Sequence, residues 1–361
     1  MGKFQRSRVT ARAAGGSKGA PTYTVSDLLQ QANQAVDRFE FELAHQFVMR
    51  ALSMEPQNLN ALEAAGSIEV ELELFNEAKE HFLECVKIQP NAGYSKFMYL
   101  GQMSEQLEAI SYFQKGVELM MEERSKMPVD LTKGSDYLAL SSKISSALCS
   151  MTDIYLTDCC FEPNAESQCE TYLAQAVQIE PITSEVYQTL ASVRLSQQRV
   201  DEAKAALAQG LALWLGSTST EEEEDLTPDY ETRLALVKLL LETAMYDEAF
   251  TVLNGLIEEN DQVPDTLYLF GWANFIAAEE VEEGAPNAED DKREQLENAR
   301  EALNACVKLW HATESTDEPM LQHAQELLQT IEQVIGPETE RQEEPEGGEI
   351  EYNEDDDEEM N

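Results

Sequence analysis

Small and large apolar residues recur at fixed intervals along the chain. In residues 41–56 (FELAHQFVMRALSMEP), Ala44, Val48, Ala51 and Pro56 have the spacing A-x3-V-x2-A-x4-P. Residues 75–90 (FNEAKEHFLECVKIQP) repeat that spacing 34 residues later. Separations of four and three place these positions on one helical face, and proline ends the helix because it lacks a backbone donor. The pattern predicts a helix that packs through a small residue.

The same spacing recurs further along the chain, in most places without the proline. Its later copies begin at Ala109, Cys169, Ala203, Ala249 and Ala299. An amphipathic stretch precedes each copy, so the predicted unit is a hairpin of two helices. Cysteines occupy the small-residue positions three times, which predicts that they pack rather than bind metal: Cys85, Cys169 and Cys306.

The first helix of the second hairpin carries Leu62, Ala65 and Gly66, which fit the W-x2-L-G positions of a known repeat. A 34-residue helix–turn–helix unit with these positions resembles the tetratricopeptide repeat. The resemblance implies an all-α fold, a right-handed superhelical solenoid of about seven repeats, with a C-terminal capping helix over residues 317–335.

Composition divides the chain into three regions. We expect a basic disordered arm, a solenoid and an acidic disordered tail, at residues 1–22, 23–335 and 336–361 respectively. Three stretches interrupt the repeats and are predicted to form loops: 121–135, 216–229 and 279–294.

The chain is strongly acidic, with 70 acidic and 25 basic residues and a net charge of −45. Residues 1–18 contribute +5 and residues 337–361 contribute −12, so the remaining body carries −38. Such a surface repels nucleic acid and anionic membranes and favours a basic protein partner.

No motif for catalysis or for a cofactor is present in the sequence. The four histidines, His45, His81, His311 and His323, lack metal-ligand spacing, and Cys159 and Cys160 do not form a C-x-x-C pair. No stretch has the apolar length of a membrane span, and the N-terminus lacks the apolar core of a signal peptide. We therefore expect a soluble protein that is not an enzyme, with no metal and no cofactor. The Ser/Thr run 217–220 fits either a phosphorylation site or a solvated linker.

In the tetratricopeptide repeat the first helices line a concave groove, and their positions outside the hairpin contact point inward. Counting from the repeat pattern predicts a partner-binding set that is mainly acidic and has aromatic residues at its C-terminal end. The set is Asn33, Asp37, Glu63, Ser67, Glu71, Asp158, Glu185, Gln188, Glu231, Glu242, Asp265, Tyr268, Trp272 and Phe275. Acids and aromatic rings together suit an extended basic segment.

The repeat layout, the opening MGKFQRSR and TYTVSDLLQQANQAVD segments and the EDDDEE tail together resemble one family over nearly the whole chain. This is the family of fungal dedicated assembly chaperones of ribosomal protein four of the large subunit. The resemblance implies a chaperone that holds the long internal loop of that client in its groove. It also implies that the chaperone keeps the client soluble and escorts it to nuclear pre-ribosomes.

That function implies a monomer that forms a heterodimer with its client, located in the cytoplasm and nucleus, with a nuclear import factor as a further partner. Two alternatives remain. An acidic chaperone of the histone type would use the same charge for another client, and a structural adaptor subunit would bind through apolar interfaces. Salt separates the classes, because binding led by charge weakens with ionic strength.

Overall fold

A computed structural model describes residues 23–128, 134–215, 227–282, 287–313 and 317–337. Within these ranges the regular secondary structure is fifteen α-helices, which confirms the all-α prediction. The chain forms two compact units that divide between Leu226 and Thr227. None of the described helices has the length and apolar character of a membrane span.

Unit 1 contains five helical hairpins, in which each odd-numbered helix packs against the helix that follows it. Their helices are α1 Val25–Val36, α2 Phe41–Met54, α3 Leu59–Glu71, α4 Phe75–Ile88, α5 Ser95–Gln102, α6 Gln106–Lys126, α7 Ser135–Leu156, α8 Ala165–Ala176, α9 Ser184–Ser196 and α10 Val200–Leu211.

Unit 2 contains two further hairpins and a final helix that packs on the last of them. Its helices are α11 Tyr230–Glu242, α12 Tyr246–Glu259, α13 Pro264–Glu279, α14 Ala288–Ala312 and α15 Glu318–Ile335. The seven predicted hairpins and the capping helix are therefore present within the described ranges. The right-handed superhelix stays a prediction.

The hairpins close through the predicted pairing of small and large side chains. A Cβ atom at Gly66 would lie 2.7 Å from Cζ of Phe82, so only glycine lets the phenyl ring reach the first helix. Gly271 packs against Leu303 in the same way, because a Cβ atom at residue 271 would lie 2.6 Å from Cγ of Leu303. The small residues of the second helices are buried as predicted, and Ala44, Ala78, Ala203, Ala249 and Ala299 are all fully covered.

Side-chain caps fix where several helices begin. Thr24 and Asp27 form a capping box at the start of α1, and the Asn58 side chain accepts a hydrogen bond from the Ala61 amide at the start of α3. Left-handed residues lie between the two helices, or at the start of the second helix, in six hairpins, with φ from 51° to 65°. They are Phe39, Glu73, Gln106, Gln198, Ala244 and Asn287.

Two of the three predicted loop insertions are partly helical. Residues 121–126 extend α6, and residues 288–294 form the first two turns of α14. The sequences explain the difference, because Lys126 pairs with Glu122 at 2.7 Å one turn away, and the acids at the start of α14 favour a helix N-terminus. The prediction of loops was wrong for these residues. The parts that lie outside the described residues are 129–133, 216–226 and 283–286, together with the basic arm 1–22 and tail residues 338–361.

Candidate binding groove

The first helices form the inner face of each unit. In unit 1, α1 contacts α3 and α7 contacts α9, and in unit 2 α11 contacts α13. We call the side of each unit on which the first helices lie its inner face. That this side forms a concave groove stays a prediction from the repeat pattern.

Most of the predicted acidic positions on the inner face are open to solvent. Asn33 on α1, Asp37 directly after α1 and Glu71 at the end of α3 are exposed, and Ser67 is half-buried. Asn33 lines a groove with Leu29 that faces Asn60 and Ala64 of α3. This end of unit 1 exposes carboxylate and amide side chains, and their contact with a partner stays a prediction.

Glu63 differs from its predicted environment. Its carboxylate Oε1 lies 3.9 Å from Nζ of Lys96, a lysine that is fully buried. The Lys96 ammonium also donates to the Ala92 carbonyl. Burial lowers the pKa of Lys96, whereas the Glu63 carboxylate raises it. Glu63 is therefore the counter-ion of a buried charge, and the prediction that it faces solvent freely was wrong.

Asp158 also lies elsewhere than expected. It follows the end of α7, in the connection to α8, and not on the inner face of the helix. Counting from the repeat pattern failed because this connection has eight residues, 157–164, whereas the connection between α9 and α10 has only three, 197–199, so the count is shifted by five residues. The acid on the inner face of α7 is Asp153, which the sequence reading missed.

Asp153 and Glu185 form an acidic pair between α7 and α9. Part of the Asp153 side chain is exposed, but the surrounding protein displaces water from its carboxylate. This desolvation raises the pKa of Asp153 to about 6, and the Glu185 carboxylate acts in the same direction. Glu185 is half-buried, and its Oε1 accepts a hydrogen bond of 3.0 Å from Ser146 Oγ. Two carboxylates that repel each other are a favourable place for a cationic side chain, because a positive charge relieves the repulsion.

Gln188, one turn after Glu185, does not reach the open groove. It is only 9% exposed, and its side-chain nitrogen is buried without a hydrogen-bond partner. The prediction that it contacts a partner directly was wrong in this respect. Its position follows from the close packing of α7 and α9.

A pocket between α5 and α7 was also missed. It has a volume of about 270 Å³ and is lined by apolar and polar side chains, among them Tyr94, Met98, Tyr99, Lys143 and Ser150. The Tyr99 ring stacks on Phe82 at a centroid distance of 4.8 Å, which fixes one wall. The helix α5 has only 8 residues against 13 in α3, a difference that the repeat spacing did not predict.

In unit 2 the predicted acids of α11 are exposed. Glu231 and Glu242 lie at the two ends of the helix, with the exposed Lys238 one turn before Glu242. Asp265 at the start of α13 is half-buried. The inner face of unit 2 is therefore less uniformly acidic than the sequence analysis predicted.

The aromatic cluster of α13 packs against the capping helix. Tyr268, Trp272 and Phe275 join the core that Leu327 and Ile331 of α15 close. The Tyr268 hydroxyl is 2.7 Å from Nδ1 of His323, and the Trp272 ring meets His323 edge to face at 6.0 Å. The cluster was expected to be open to a partner, but α15 covers much of it because α13 is apolar on this side.

Two of the four histidines, His45 and His81, form a hydrogen-bonded bridge with a buried carboxylate. They hold the buried Glu69 between α2 and α4, with His45 Nε2 at 2.9 Å and His81 Nδ1 at 2.6 Å from its carboxylate oxygens. The hydrogen bond to Glu69 raises the pKa of His81. This bridge joins the first two hairpins and has no open coordination site, and no metal-binding cluster occurs among the residues that the structure describes.

The cysteines of the small-residue positions pack in the core, as predicted. Cys85 and Cys306 are fully buried and Cys169 nearly so. Burial raises the pKa of Cys85 to about 12 and those of Cys169 and Cys306 to about 11. Their thiolates are therefore scarce at neutral pH, which makes them unsuitable as nucleophiles.

Comparison with known proteins places this architecture in a family. The tetratricopeptide repeat model matches residues 59–92, which span the second hairpin. A protein of Schizosaccharomyces pombe described as a probable assembly chaperone of rpl4 is 34% identical over 276 residues, covering 75% of this chain and 80% of the relative. A protein of Emericella nidulans with the same description is 32% identical over 343 residues, covering 89% of this chain and 85% of the relative.

A solved structure agrees with the sequence relatives. The structure titled assembly chaperone of RpL4 (Acl4), residues 1–338, superposes with a TM-score of 0.65 at 28% identity. The match covers 71% of this chain and 98% of that chain. From these identities and their coverage, the chain belongs to the family of probable assembly chaperones of rpl4.

Proposed function

We propose that this protein is a dedicated chaperone of the ribosomal protein rpl4, which it binds on the inner face of its first helices. The observation that carries the proposal is the set of exposed carboxylates on that face, which includes Asp37, Glu71 and Asp153. Ribosomal proteins carry basic segments that bind RNA, and such segments aggregate with other polyanions before assembly. The relatives and the solved structure are described as assembly chaperones of rpl4, which supports rpl4 as the client.

The mechanism is binding without catalysis. Carboxylates on the inner face pair with lysine and arginine side chains of the client, and the pocket beside Met98 and Tyr99 accepts an apolar side chain between them. When its cations are paired in this way, the basic segment of the client is shielded from other polyanions. Ribosomal RNA can then displace the chaperone, because its phosphates compete for the same cations and release counterions on binding.

The cellular role follows from the client. An rpl4 chaperone would act in the cytoplasm, where the client is made, and in the nucleus, where large subunits are assembled. It would travel as a heterodimer with rpl4 and would need an import factor as a further partner.

Co-purification and binding measurements test the proposal. The wild-type chain should keep purified rpl4 soluble, and the affinity should fall steeply with added salt. The double variant Glu71→Lys with Asp153→Lys should bind rpl4 at least about tenfold more weakly, since each reversal replaces attraction by repulsion. The matched control is Glu123→Lys with Glu258→Lys, two exposed acids on second helices.

The alternatives give different results. Equal affinity for core histones and rpl4 would contradict a dedicated client and favour a histone-type chaperone. Binding that salt does not weaken would favour an adaptor with apolar interfaces. Equal losses from the inner-face pair and the control pair would show diffuse charge attraction rather than a groove.

A further inference from the structure

The turns within the hairpins of unit 1 expose a row of apolar side chains. Because the hairpins stack in sequence order, their turns lie along one edge of the unit. Each of the five hairpins places at least one exposed apolar residue in its turn or in the first turn of its second helix. We call this row the turn edge: Phe39, Leu74, Phe75, Leu107, Phe161 and Val200.

Phe39 is the residue that the fold explains least. It has a φ of 58°, in the left-handed region that a bulky side chain disfavours and that glycine adopts freely. Its side chain contributes little to the core, since it is 81% exposed, and its ring meets the Phe41 ring edge to face at 6.2 Å. An exposed aromatic residue in a strained turn indicates a role other than stability.

Phe161 repeats this feature in the fourth hairpin. It is 96% exposed and lies in the connection between α7 and α8, which runs from residue 157 to residue 164. The corresponding connection in the first hairpin runs only from residue 37 to residue 40. The longer connection carries an apolar side chain into solvent without burying it.

Acidic side chains accompany the apolar residues along the turn edge. They are exposed and make no ion pair with a lysine or arginine in the described part of the chain: Glu42, Glu73, Glu77, Glu105, Glu162 and Asp201. The cations nearby are already paired, Arg38 with Glu40 and Arg199 with Glu202. Acids in the first turn of a helix also interact favourably with the helix dipole. This explains why carboxylates occur here, but it does not explain why the phenyl rings are exposed.

We propose that the turn edge of unit 1 is a second docking surface, which binds a segment of rpl4 in which basic and apolar side chains alternate. The inference rests on the proposed function in taking rpl4 as the partner. The unpaired acids select a basic partner and repel an anionic membrane, and the phenyl rings supply the apolar contact. With the inner face occupied as well, the client is held at two places, which strengthens binding through the high effective concentration of the second segment.

Two substitutions test the turn edge without harming the fold. Phe39→Gly removes the ring and also relieves the left-handed strain, so the melting temperature should stay the same or rise. Phe161→Ser removes a side chain that is almost fully exposed. The matched control is Gln198→Gly, which changes an exposed residue at a left-handed turn in the same unit, with a φ of 61°.

The measurement is the affinity for full-length rpl4 and for overlapping synthetic peptides that cover it. The double variant Phe39→Gly with Phe161→Ser should bind full-length rpl4 about tenfold more weakly, as expected for loss of two aromatic contacts. It should lose a set of basic peptides that the Glu71→Lys, Asp153→Lys variant still binds. Gln198→Gly should bind like the wild type.

Three results would overturn the inference. Unchanged affinity of the double variant would show that the turn edge does not touch rpl4, while the proposed function would stand. Loss of the same peptides in both double variants would mean one binding site rather than two. If a chain that begins at Tyr23 bound the turn-edge peptides much more tightly than the full chain, the occupant of the edge would be the protein's own basic residues 1–22. Failure of the wild type to bind rpl4 would instead refute the proposed function.

Discussion

The carboxylate of Glu63 on α3 lies 3.9 Å from the ammonium of Lys96, which is fully buried on α5. The pair joins the second hairpin to the third, with the Ala92 carbonyl as the other acceptor of the ammonium. Because an unpaired buried charge is very costly, Glu63 stabilises the fold although it lies on the face proposed to bind the client. One residue of the inner face therefore has a structural role that its neighbours lack.

Reversal of Glu63 should damage the fold rather than only the binding. Glu63→Lys places a second cation beside Lys96, and we expect the free energy of unfolding to fall by roughly 2 kcal/mol, because Glu63 itself is partly open to water. Thermal denaturation followed by circular dichroism measures this. Glu71→Lys on the same helix is the control, and it should weaken rpl4 binding with little change in melting temperature. Equal melting temperatures for the two variants would contradict the structural role of Glu63.

The bridge formed by His45, Glu69 and His81 should make the first two hairpins sensitive to pH. The hydrogen bond to Glu69 raises the pKa of His81 above 6.5, and the nearby Glu80 and Glu77 act in the same direction, whereas burial lowers it. A raised pKa means that protonation stabilises the folded state. This contribution is complete below about pH 6.5 and is lost as the pH rises through the raised pKa.

Hydrogen exchange over residues 41–88 between about pH 6 and pH 8 measures this effect. Protection should decrease with rising pH in the wild type and should change less in His81→Gln. Glu69→Gln should lower the free energy of unfolding by about 2 kcal/mol near pH 6 and by less near pH 8, since it removes a charged acceptor from two hydrogen bonds and the bond to His81 is stronger when His81 is protonated. His311→Gln, a change at an exposed residue of α14, serves as the control. The same pH response in His81→Gln and in wild type would show that the bridge does not titrate in this range.

Asp153 should make client binding depend on pH. With a pKa of about 6, it is largely ionised at pH 7.5 and becomes neutral as the pH falls towards 5. Because the pKa lies above that of an unfolded aspartate, protonation stabilises the fold while it removes a charge that attracts the basic client. The affinity for rpl4 should therefore fall as the pH drops through 6, even though the chaperone does not unfold.

Isothermal titration at pH 7.5 and pH 5.5 checks this prediction. Asp153→Asn should bind more weakly than wild type at pH 7.5 and should lose part of the pH dependence. Glu123→Gln, which removes an exposed carboxylate from α6, should leave both unchanged. A variant that kept the full pH dependence would assign the titration to another group.

Trp272 should prove to be a stabilising residue. Its ring packs with Tyr268 against His323 of the capping helix, so Trp272→Ala opens a gap between α13 and α15. We expect a loss of about 2 kcal/mol in the free energy of unfolding, below the range for fully buried rings because the side chain is half-exposed. Urea denaturation followed by circular dichroism provides the measurement. A variant with normal stability and weak rpl4 binding would show that the ring faces the client instead.

The sequence predicted the hairpins well because their closure depends on pairs such as Gly66 and Phe82, which recur at a fixed spacing. It predicted the inner face less well, because that face depends on the phase of each first helix. The predicted set contained Asp158, whereas the acid on the inner face of α7 is Asp153, because the long connection before α8 shifts the count. Contacts between hairpins, such as that of Lys96 with Glu63, leave no periodic trace in the sequence and needed the structure.

Among the described helices of each unit, a hairpin packs mainly on the hairpins directly before and after it, so little contact ties the ends of a unit together. Such a stack can open from an end, one hairpin at a time, at less cost than unfolding as a whole. A client chain that lies across several hairpins connects them, because an end of the stack can then open only after part of the client has been released. Chaperone and client would in this way protect each other from proteolysis, and an unloaded chaperone would be the form that a cell removes first.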